Sequence, residues 1–166
     1  DPASIRRAAD LINQAQRPMI LAGQGILQSG AMDALRTFVE KTETPVGLTL
    51  LGKGGFPESH PLALGMMGMH GEACVNHAIQ EADLLIALGM RFDDRVTGKL
   101  AAYSPKSRRI HVDLDATELN KIVQVDVPIM GDVRQVLEQL LPLVNPASHT
   151  AWIDRIGEWR GDSARR

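Results

Sequence analysis

The chain has 166 residues, of which 44% are hydrophobic and 23% are charged, and its formal net charge is -2. These values indicate one ordinary globular domain, large enough to bury about two-thirds of the surface that its unfolded chain exposes. The weak charge predicts no nucleic-acid partner, and no apolar run approaches the roughly 18–20 residues that a membrane-spanning helix needs. The single cysteine, Cys74, excludes an internal disulfide and a multi-cysteine metal site, and it is typical of a cytoplasmic protein.

Amphipathic helices alternate with apolar strands along the chain. In chain order, the predicted elements are a helix from 1–4 to about 16, a strand at 17–23, a helix at 31–43, a strand at 44–52, a loop at 64–71, a helix at 72–82, strands at 83–89 and 108–115, a helical turn at 116–122, a strand at 125–132 and a helix at 133–144. In the helix at 31–43, Met32, Leu35, Phe38 and Val39 are expected to face inward.

The pattern of these elements predicts the fold class. Strands rich in Ile, Leu and Val that do not alternate with polar residues are typical of a parallel sheet covered on both faces. We therefore expect an α/β fold with a doubly wound, mostly parallel, Rossmann-like sheet of five or six strands and helices on both faces.

The predicted domain spans residues 1–146, and residues 147–166 are expected to be a linker toward a C-terminal domain that is missing here. Trp152, Ile153, Ile156 and Trp159 form one stripe at helical spacing, but little of a complete domain would remain for them to pack on. The alternative is a terminal helix that folds back on the domain.

Ligands of such sheets bind at the carboxyl ends of the strands, where the strand order reverses. Unusual residues follow the predicted strands, namely Gly23-Gln24-Gly25, Gly52-Lys53-Gly54-Gly55, Gly89, Asp113-Leu114-Asp115 and Gly131-Asp132. The glycines are expected to let backbone N–H groups approach a bulky ligand. The first glycine pair also fits a plain turn, because Gln28 stands where a dinucleotide-binding fingerprint requires glycine.

Asp113 and Asp115 would point to opposite sides of their strand, so only one of them can face the crevice. An acidic residue at this position commonly accepts hydrogen bonds from ribose hydroxyls. Asp115 is better placed to cap the following helical turn, which leaves Asp113 as the candidate ligand-binding residue.

The segment RFDDR, residues 91–95, places four charges directly after a buried strand. Arg91 and Arg95 could bind phosphate oxygens through their forked donors, and Asp93 could hold such a fork in place. The alternative is a solvated cluster of surface ion pairs, worth about 0–1 kcal/mol. The position at a strand exit favours the binding role.

The loop MMGMHG, residues 66–71, could form a deformable apolar surface suited to a flat ring, or a buried loop under the sheet edge. No nucleophile with a matching base emerges from Ser29, Ser59 or Cys74, and His111 is expected to be a satisfied strand residue. The sequence therefore predicts a ligand-holding domain with no catalytic residue and no metal ligand of its own.

The motifs LGMMGMHG, ALGMRFDDRVTG and HVDLDATELNKI resemble the central domain of the acetolactate synthase (acetohydroxyacid synthase) family, large catalytic subunit, over about residues 4–144. These are thiamine-diphosphate enzymes. The resemblance implies an FAD site formed by Gly23, Gln24, Gly25, Thr49, Leu50, Leu51, Gly68, Met69, His70, Gly89, Arg91, Asp93, Arg95, Asp113, Leu114, Asp132 and Val133.

The resemblance also implies what the whole enzyme does. It would join two pyruvates, or pyruvate and 2-oxobutyrate, with loss of carbon dioxide in branched-chain amino acid biosynthesis. Thiamine diphosphate and Mg²⁺ would be bound by the N- and C-terminal domains missing from this chain, and FAD would be structural. The family assembles as dimers or larger complexes, for which a regulatory subunit is a further partner. The isolated chain is expected to be inactive.

Two alternatives remain. One is the central domain of another thiamine-diphosphate enzyme, of the glyoxylate carboligase or 2-oxoacid decarboxylase type. The other is a stand-alone nucleotide-binding regulatory module.

Overall fold

The structure is a computed structural model that describes residues 1–49, 51–66, 73–90, 107–114 and 125–164. Its described strands form one six-stranded parallel sheet: β1 Pro18–Ala22, β2 Val46–Leu48, β3 Ala63–Met66, β4 Leu84–Leu88, β5 Arg108–Asp113 and β6 Val127–Met130. The strand order is β3-β2-β1-β4-β5-β6. From β1 the chain first builds the sheet outward through β2 to β3, and then returns to the other side of β1 to add β4, β5 and β6, so the switch point lies between β1 and β4. This is a doubly wound α/β sheet, so the predicted fold class is confirmed.

Six helices are described: α1 Pro2–Gln14, α2 Gly25–Gln28, α3 Met32–Thr42, α4 Ala73–Glu81, α5 Val133–Leu140 and α6 Thr150–Ala164. Successive strand residues point to opposite faces of the sheet. Ile20 and Ile86 lie in the core on the side of α1, α3 and α5, whereas Leu21 and Ala87 lie in the core on the side of α4 and α6. Both faces are therefore covered, which explains why β1 and β4 are apolar throughout.

Capping residues set where two of these helices begin. The side chain of Asp1 accepts a hydrogen bond from the Ala3 amide at 3.2 Å, and Pro2 occupies the first turn of α1, where its missing N–H is not needed. Residues Ile5, Ala8, Ala9 and Ile12 then form the buried face of α1, as their helical spacing predicts. Asp132 caps α5 in the same way, accepting from the Gln135 amide at 3.0 Å.

Several predicted elements are corrected by the structure. Ala63–Met66 is an edge strand of the sheet, whereas the sequence predicted a loop from residue 64. The second strand is shorter than predicted and covers Val46–Leu48 only. Met32 is 44% exposed and does not face inward, because it lies at the first position of α3. The helix predicted to reach residue 144 ends at Leu140, two residues before Pro142.

The C-terminal helix α6 packs on the sheet. Trp152 and Ile156 are 3% and 2% exposed, and they belong to the core cluster that contains α4. The indole Nε1 of Trp152 donates to the Pro18 carbonyl at 2.8 Å. The prediction that this stripe has little to pack on is wrong, because Trp152 and Ile156 join one core cluster with residues of α4 and of the strands. Its role as a linker remains a prediction.

Within the part of the chain that the structure describes, no helix has the length and apolar character required to cross a membrane.

Candidate functional site

The described residues of the predicted site all lie where strands end at the carboxyl edge of the sheet. Strand by strand, they are Gly23, Gln24 and Gly25 after β1, Thr49 and Leu51 after β2, Gly89 after β4, Asp113 and Leu114 at the end of β5, and Asp132 and Val133 after β6. The other predicted site residues, Leu50, Gly68, Met69, His70, Arg91, Asp93 and Arg95, lie outside the described residues, as does Asp115.

At the point where the strand order reverses, the turns after β1 and β4 are in backbone contact. The Gly25 amide donates to the Gly89 carbonyl at 2.9 Å, and the Gly23 amide donates to the Leu88 carbonyl at 3.0 Å. A Cβ atom added to Gly25 would lie 2.5 Å from the Gly89 Cα, and one added to Gly23 would lie 2.6 Å from the Gly89 carbonyl oxygen. Both positions therefore require glycine.

The turn after β2 packs closely against the end of β1. A Cβ atom added to Gly52 would lie 2.5 Å from the carbonyl oxygen of Ala22, the last residue of β1. The Gly52 amide donates to the Thr49 carbonyl at 3.0 Å, and the Gly89 amide donates to the Val112 carbonyl at 2.9 Å.

The expectation that these glycines offer their N–H groups to a ligand needs correction. The amides of Gly23, Gly25 and Gly89 donate to carbonyls at neighbouring strand exits, and the amide of Gly52 donates within its own turn. The glycines serve to bring three turns together. Any ligand at this edge would have to contact side chains or other backbone groups.

A buried histidine links the exits of β4 and β5. His111 is fully buried, and its Nε2 lies 2.8 Å from the Met90 carbonyl oxygen and 3.8 Å from Asp113 Oδ2. Because a carbonyl oxygen only accepts, Nε2 carries a proton. His111 lies in a strand, as predicted, and is held through the Nε2 contact with Met90. The carboxylate of Asp113 is only 16% exposed and lies at the carboxyl end of β5.

At the exit of β6, the predicted site residues also have structural roles. One carboxylate oxygen of Asp132 accepts from the Gln135 amide, and the side chain of Val133 is buried in the core. The Gly131 amide donates to the Asp113 carbonyl at 2.8 Å, which fixes this turn beside the end of β5.

Large apolar side chains are exposed along the same edge. Leu51, Leu114 and Met130 are 66%, 64% and 62% exposed, and each lies at or just after the carboxyl end of a strand. Met130 was missed from the sequence, although an apolar residue directly before Gly131-Asp132 is a signal that could have identified it. A carboxylate and exposed apolar side chains at one edge of a sheet can bind a ligand that combines hydroxyl groups with a flat ring.

Two groups with shifted pKa values lie away from the carboxyl edge of the sheet. Hydrogen bonds from Arg36 and then His60 lower the pKa of Glu40, on α3. Burial lowers the pKa of Arg109, the second residue of β5, although the nearby Asp126 carboxylate opposes this shift. Among the described residues, no group of three or more His, Cys, Asp or Glu side chains could hold a metal ion.

Comparison with known proteins identifies the family. Residues 5–140 match the family described as thiamine pyrophosphate enzyme, central domain. The chain belongs to this family.

The similar relatives are acetolactate synthases, which confirms the resemblance seen in the motifs. The chain is 47% identical over 160 residues to a probable acetolactate synthase large subunit of Methanocaldococcus jannaschii, covering 95% of this chain and 27% of the relative. It is 48% identical over 149 residues to the acetolactate synthase isozyme 1 large subunit of Escherichia coli, covering 90% of this chain and 26% of the relative. The chain therefore spans about a quarter of the length of these relatives.

Proposed function

We propose that the chain is the central domain of an acetolactate synthase large subunit in a branched-chain amino acid pathway. The whole enzyme would join two pyruvates, or pyruvate and 2-oxobutyrate, with loss of carbon dioxide. The observation that carries this proposal is the 43–48% identity to such subunits over nine-tenths or more of this chain. It favours this function over a glyoxylate carboligase, a 2-oxoacid decarboxylase or a stand-alone nucleotide-binding module.

The domain would bind FAD at the carboxyl edge of the sheet. The described residues fit a dinucleotide in two respects: Asp113 presents a carboxylate at the end of β5, and exposed apolar surface lies at the same edge of the sheet, on Leu114 beside Asp113 and on Leu51 after β2. The carboxylate can accept hydrogen bonds from ribose hydroxyls, and the leucines can cover a ring. The glycine amides do not contribute, since they already donate to protein carbonyls.

The remaining contacts would come from Gln24, whose side chain is exposed after β1, and from Thr49, Asp132 and Val133 at the neighbouring exits. Arg91 and Arg95 would neutralise the diphosphate. Because the proposed reaction has no net redox change, FAD would support the architecture of the site. Thiamine diphosphate and Mg²⁺ would supply the carbanion chemistry elsewhere in the whole enzyme.

The chain would function in the cytoplasm with other domains of the same polypeptide, in a dimer or larger assembly, and with a regulatory subunit. Since it supplies no residue proposed to act on pyruvate, this chain alone should not consume pyruvate. The complete subunit should form acetolactate from pyruvate. Consumption of glyoxylate without acetolactate formation would overturn the assignment in favour of a carboligase.

The FAD site can be tested in the complete subunit by flavin fluorescence titration. Asp113→Asn removes the charge of the proposed ribose acceptor, and Arg91→Ala removes a proposed diphosphate ligand. Each change should weaken FAD binding about tenfold or more, as expected for the loss of a charge-assisted hydrogen bond.

Arg108→Ala is a matched control for both variants. Arg108 begins β5, so it lies at the opposite edge of the sheet from Asp113, and its side chain is exposed with its Nε 3.8 Å from Asp126 Oδ1. This variant should bind FAD as the wild type does. Equal affinities in all three variants would contradict the proposed site.

A further inference from the structure

We propose that His111 is a positioning residue for FAD, on the basis of the FAD site proposed above. Its ring would fix the chain that leaves β4 in relation to Asp113. His111 is fully buried, so it would act through the groups that it holds and not through contact with the cofactor. Its Nε2 lies 2.8 Å from the Met90 carbonyl oxygen and 3.8 Å from Asp113 Oδ2.

The surroundings of His111 make a polar ring costly at this position. Its neighbours along β5, Ile110 and Val112, are fully buried, and its partners in the adjacent strands are Ala87 and Pro128. All four residues are apolar. Because burying a polar group is unfavourable unless it is hydrogen-bonded, the histidine is stable here only through its hydrogen bonds.

The hydrogen bond to Met90 attaches the exit of β4 to β5 beyond the end of the ladder. The paired residues of the two strands end at Leu88 and Val112, and the Gly89 amide adds one more hydrogen bond to the Val112 carbonyl at 2.9 Å. Met90 is the next residue along the chain. Its carbonyl is held by the side chain of His111, since Nε2 donates to it.

The residues held in this way border the switch point of the sheet. The Gly89 carbonyl accepts from the Gly25 amide at 2.9 Å, and a Cβ atom added to Gly23 would lie 2.6 Å from the Met90 Cβ. A displacement of Met90 would therefore disturb the contact between the turns after β1 and β4. His111 is the side chain that resists this displacement from the side of β5.

The same ring lies beside the proposed ribose acceptor. His111 and Asp113 are two residues apart on β5, so their side chains point to the same face of the sheet. The His111 Nε2 is therefore near both the Met90 carbonyl and the Asp113 carboxylate. A dinucleotide that spans the switch point would contact both strand exits, and its affinity would depend on how well their spacing is fixed.

Two substitutions of His111 separate the hydrogen bond from the volume of the ring. His111→Leu keeps a buried side chain but removes the donor, whereas His111→Gln retains an N–H donor that can reach the Met90 carbonyl. In the complete subunit, flavin fluorescence titration should show FAD binding weakened about tenfold in His111→Leu, as when a group that orients binding residues is lost. In His111→Gln the affinity should stay within about threefold of the wild type.

His111→Asn provides a second comparison if His111→Leu does not fold. Asparagine carries the same amide as glutamine on a side chain that is one methylene shorter, so it cannot reach the Met90 carbonyl as glutamine can. FAD binding in His111→Asn should be weakened about as much as in His111→Leu. Equal FAD affinities in His111→Asn and His111→Gln would overturn the proposal.

Thr44→Val is the matched control for loss of a buried hydrogen bond. Thr44 is fully buried just before β2, at the opposite edge of the sheet, and its Oγ1 lies 2.8 Å from Thr42 Oγ1. This variant should have lower thermal stability but should bind FAD as the wild type does. A loss of FAD affinity as large as that of His111→Leu would show that stability and not positioning is responsible.

Hydrogen exchange of the complete subunit without FAD tests the positioning itself. In His111→Leu, the amides of Gly25 and Gly89 should exchange about fivefold faster or more, and in His111→Gln they should exchange as in the wild type. The Asp83 amide, which donates to the Arg17 carbonyl at 3.0 Å at the opposite edge, should be unchanged in both variants. Unchanged exchange at Gly25 and Gly89 in His111→Leu would overturn the proposal.

The titrations also distinguish failure of this proposal from failure of the FAD site. A wild-type subunit that binds no FAD would refute the FAD site itself. Wild-type affinity in His111→Leu, together with weakened binding in Asp113→Asn, would leave the site in place and refute only the positioning role of His111.

Discussion

Gly25 and Gly89 are in direct backbone contact at the carboxyl edge of the sheet: the Gly25 amide donates to the Gly89 carbonyl at 2.9 Å. Gly89 adopts a φ of +63°, and a Cβ atom on either residue would lie 2.5 Å from the Cα of the other. The two residues follow β1 and β4, the neighbouring strands between which the order of strand addition reverses. The geometry of the candidate site therefore depends on the absence of side chains at these positions.

Substitution of Gly25 should destabilise the fold. Gly25→Ala would force the turns after β1 and β4 apart, and we expect the free energy of unfolding to fall by about 1–3 kcal/mol, the usual cost of overpacking. Urea denaturation followed by circular dichroism measures this change.

Gly157→Ala is the control for that experiment. Gly157 lies within α6, and a Cβ atom added to it would meet no other atom within 4 Å. Alanine should therefore increase the free energy of unfolding by about 0.5–1 kcal/mol, because it favours the helix more than glycine does. If the two alanine variants had equal stability, the close contact between the turns would be refuted.

Asp132 can be tested for two separable roles. Asp132→Ala removes the cap of α5 and should lower the free energy of unfolding by about 1 kcal/mol, whereas Asp132→Ser keeps a capping oxygen and should cost only a few tenths. Both variants should weaken FAD binding in the complete subunit if the carboxylate contacts the cofactor.

The control on the same helix is Glu138→Ala. Glu138 is exposed and pairs with Arg134 at 3.0 Å, a contact worth about 0.2–0.5 kcal/mol. Its loss should leave FAD binding unchanged. Unaltered FAD affinity in Asp132→Ser would restrict Asp132 to its capping role.

The docking of α6 depends on Trp152. Trp152→Phe deletes the Nε1–H that donates to the Pro18 carbonyl at 2.8 Å in a buried position. Loss of this hydrogen bond and of part of the buried ring should lower the free energy of unfolding by about 1–2 kcal/mol, measured by thermal denaturation.

Trp159→Phe provides the comparison, because Trp159 is half-buried and contacts His77 and Trp152 through its ring. We expect it to cost less than about 1 kcal/mol. A larger loss from Trp159→Phe than from Trp152→Phe would argue against the anchoring role of Trp152.

The fold class was predictable because the buried strands carry a strong local signal. PMILA in β1 and LLIAL in β4 are continuous apolar runs, and both are buried on both faces. β3 was missed because it is a four-residue edge strand in which Gly65 has a φ of +108° and the register shifts against β2. The helix α2 was missed because four residues are too few to show a helical period.

The sequence predicted which residues lie at the carboxyl edge of the sheet, but not the contacts that they make there. The rule that ligands bind at strand exits placed Asp113 and Gly89 correctly at one edge of the sheet. The sequence could not show that the Gly25 amide donates a hydrogen bond to the Gly89 carbonyl, since this contact joins residues far apart in the chain. The same limit applies to Trp152, whose partner Pro18 lies 134 residues away.

Acid should weaken the interactions of Glu40. Hydrogen bonds from Arg36 and then His60 lower the pKa of this carboxyl from its ordinary 4.5, so the folded state releases its proton more readily than the unfolded state. The resulting stability is fully present above the unfolded pKa and is lost as pH falls through the folded pKa. The difference in free energy of unfolding between the wild type and Glu40→Gln should therefore shrink from about pH 5 to about pH 3, as measured by urea denaturation. Glu58→Gln, in an exposed turn, should show a smaller change, and an equal change would contradict the assignment.

Hydrogen–deuterium exchange of the complete subunit with and without FAD tests the proposed cofactor site most directly. We predict that FAD slows exchange in the turns at the carboxyl edge, at residues 23–25, 49–52, 89–90, 113–114 and 131–133, and leaves the opposite edge at 16–17, 44–45, 83 and 107–108 unchanged. Slowed exchange at the opposite edge only, or no change at either edge under saturating FAD, would contradict the proposed binding of FAD at the carboxyl edge.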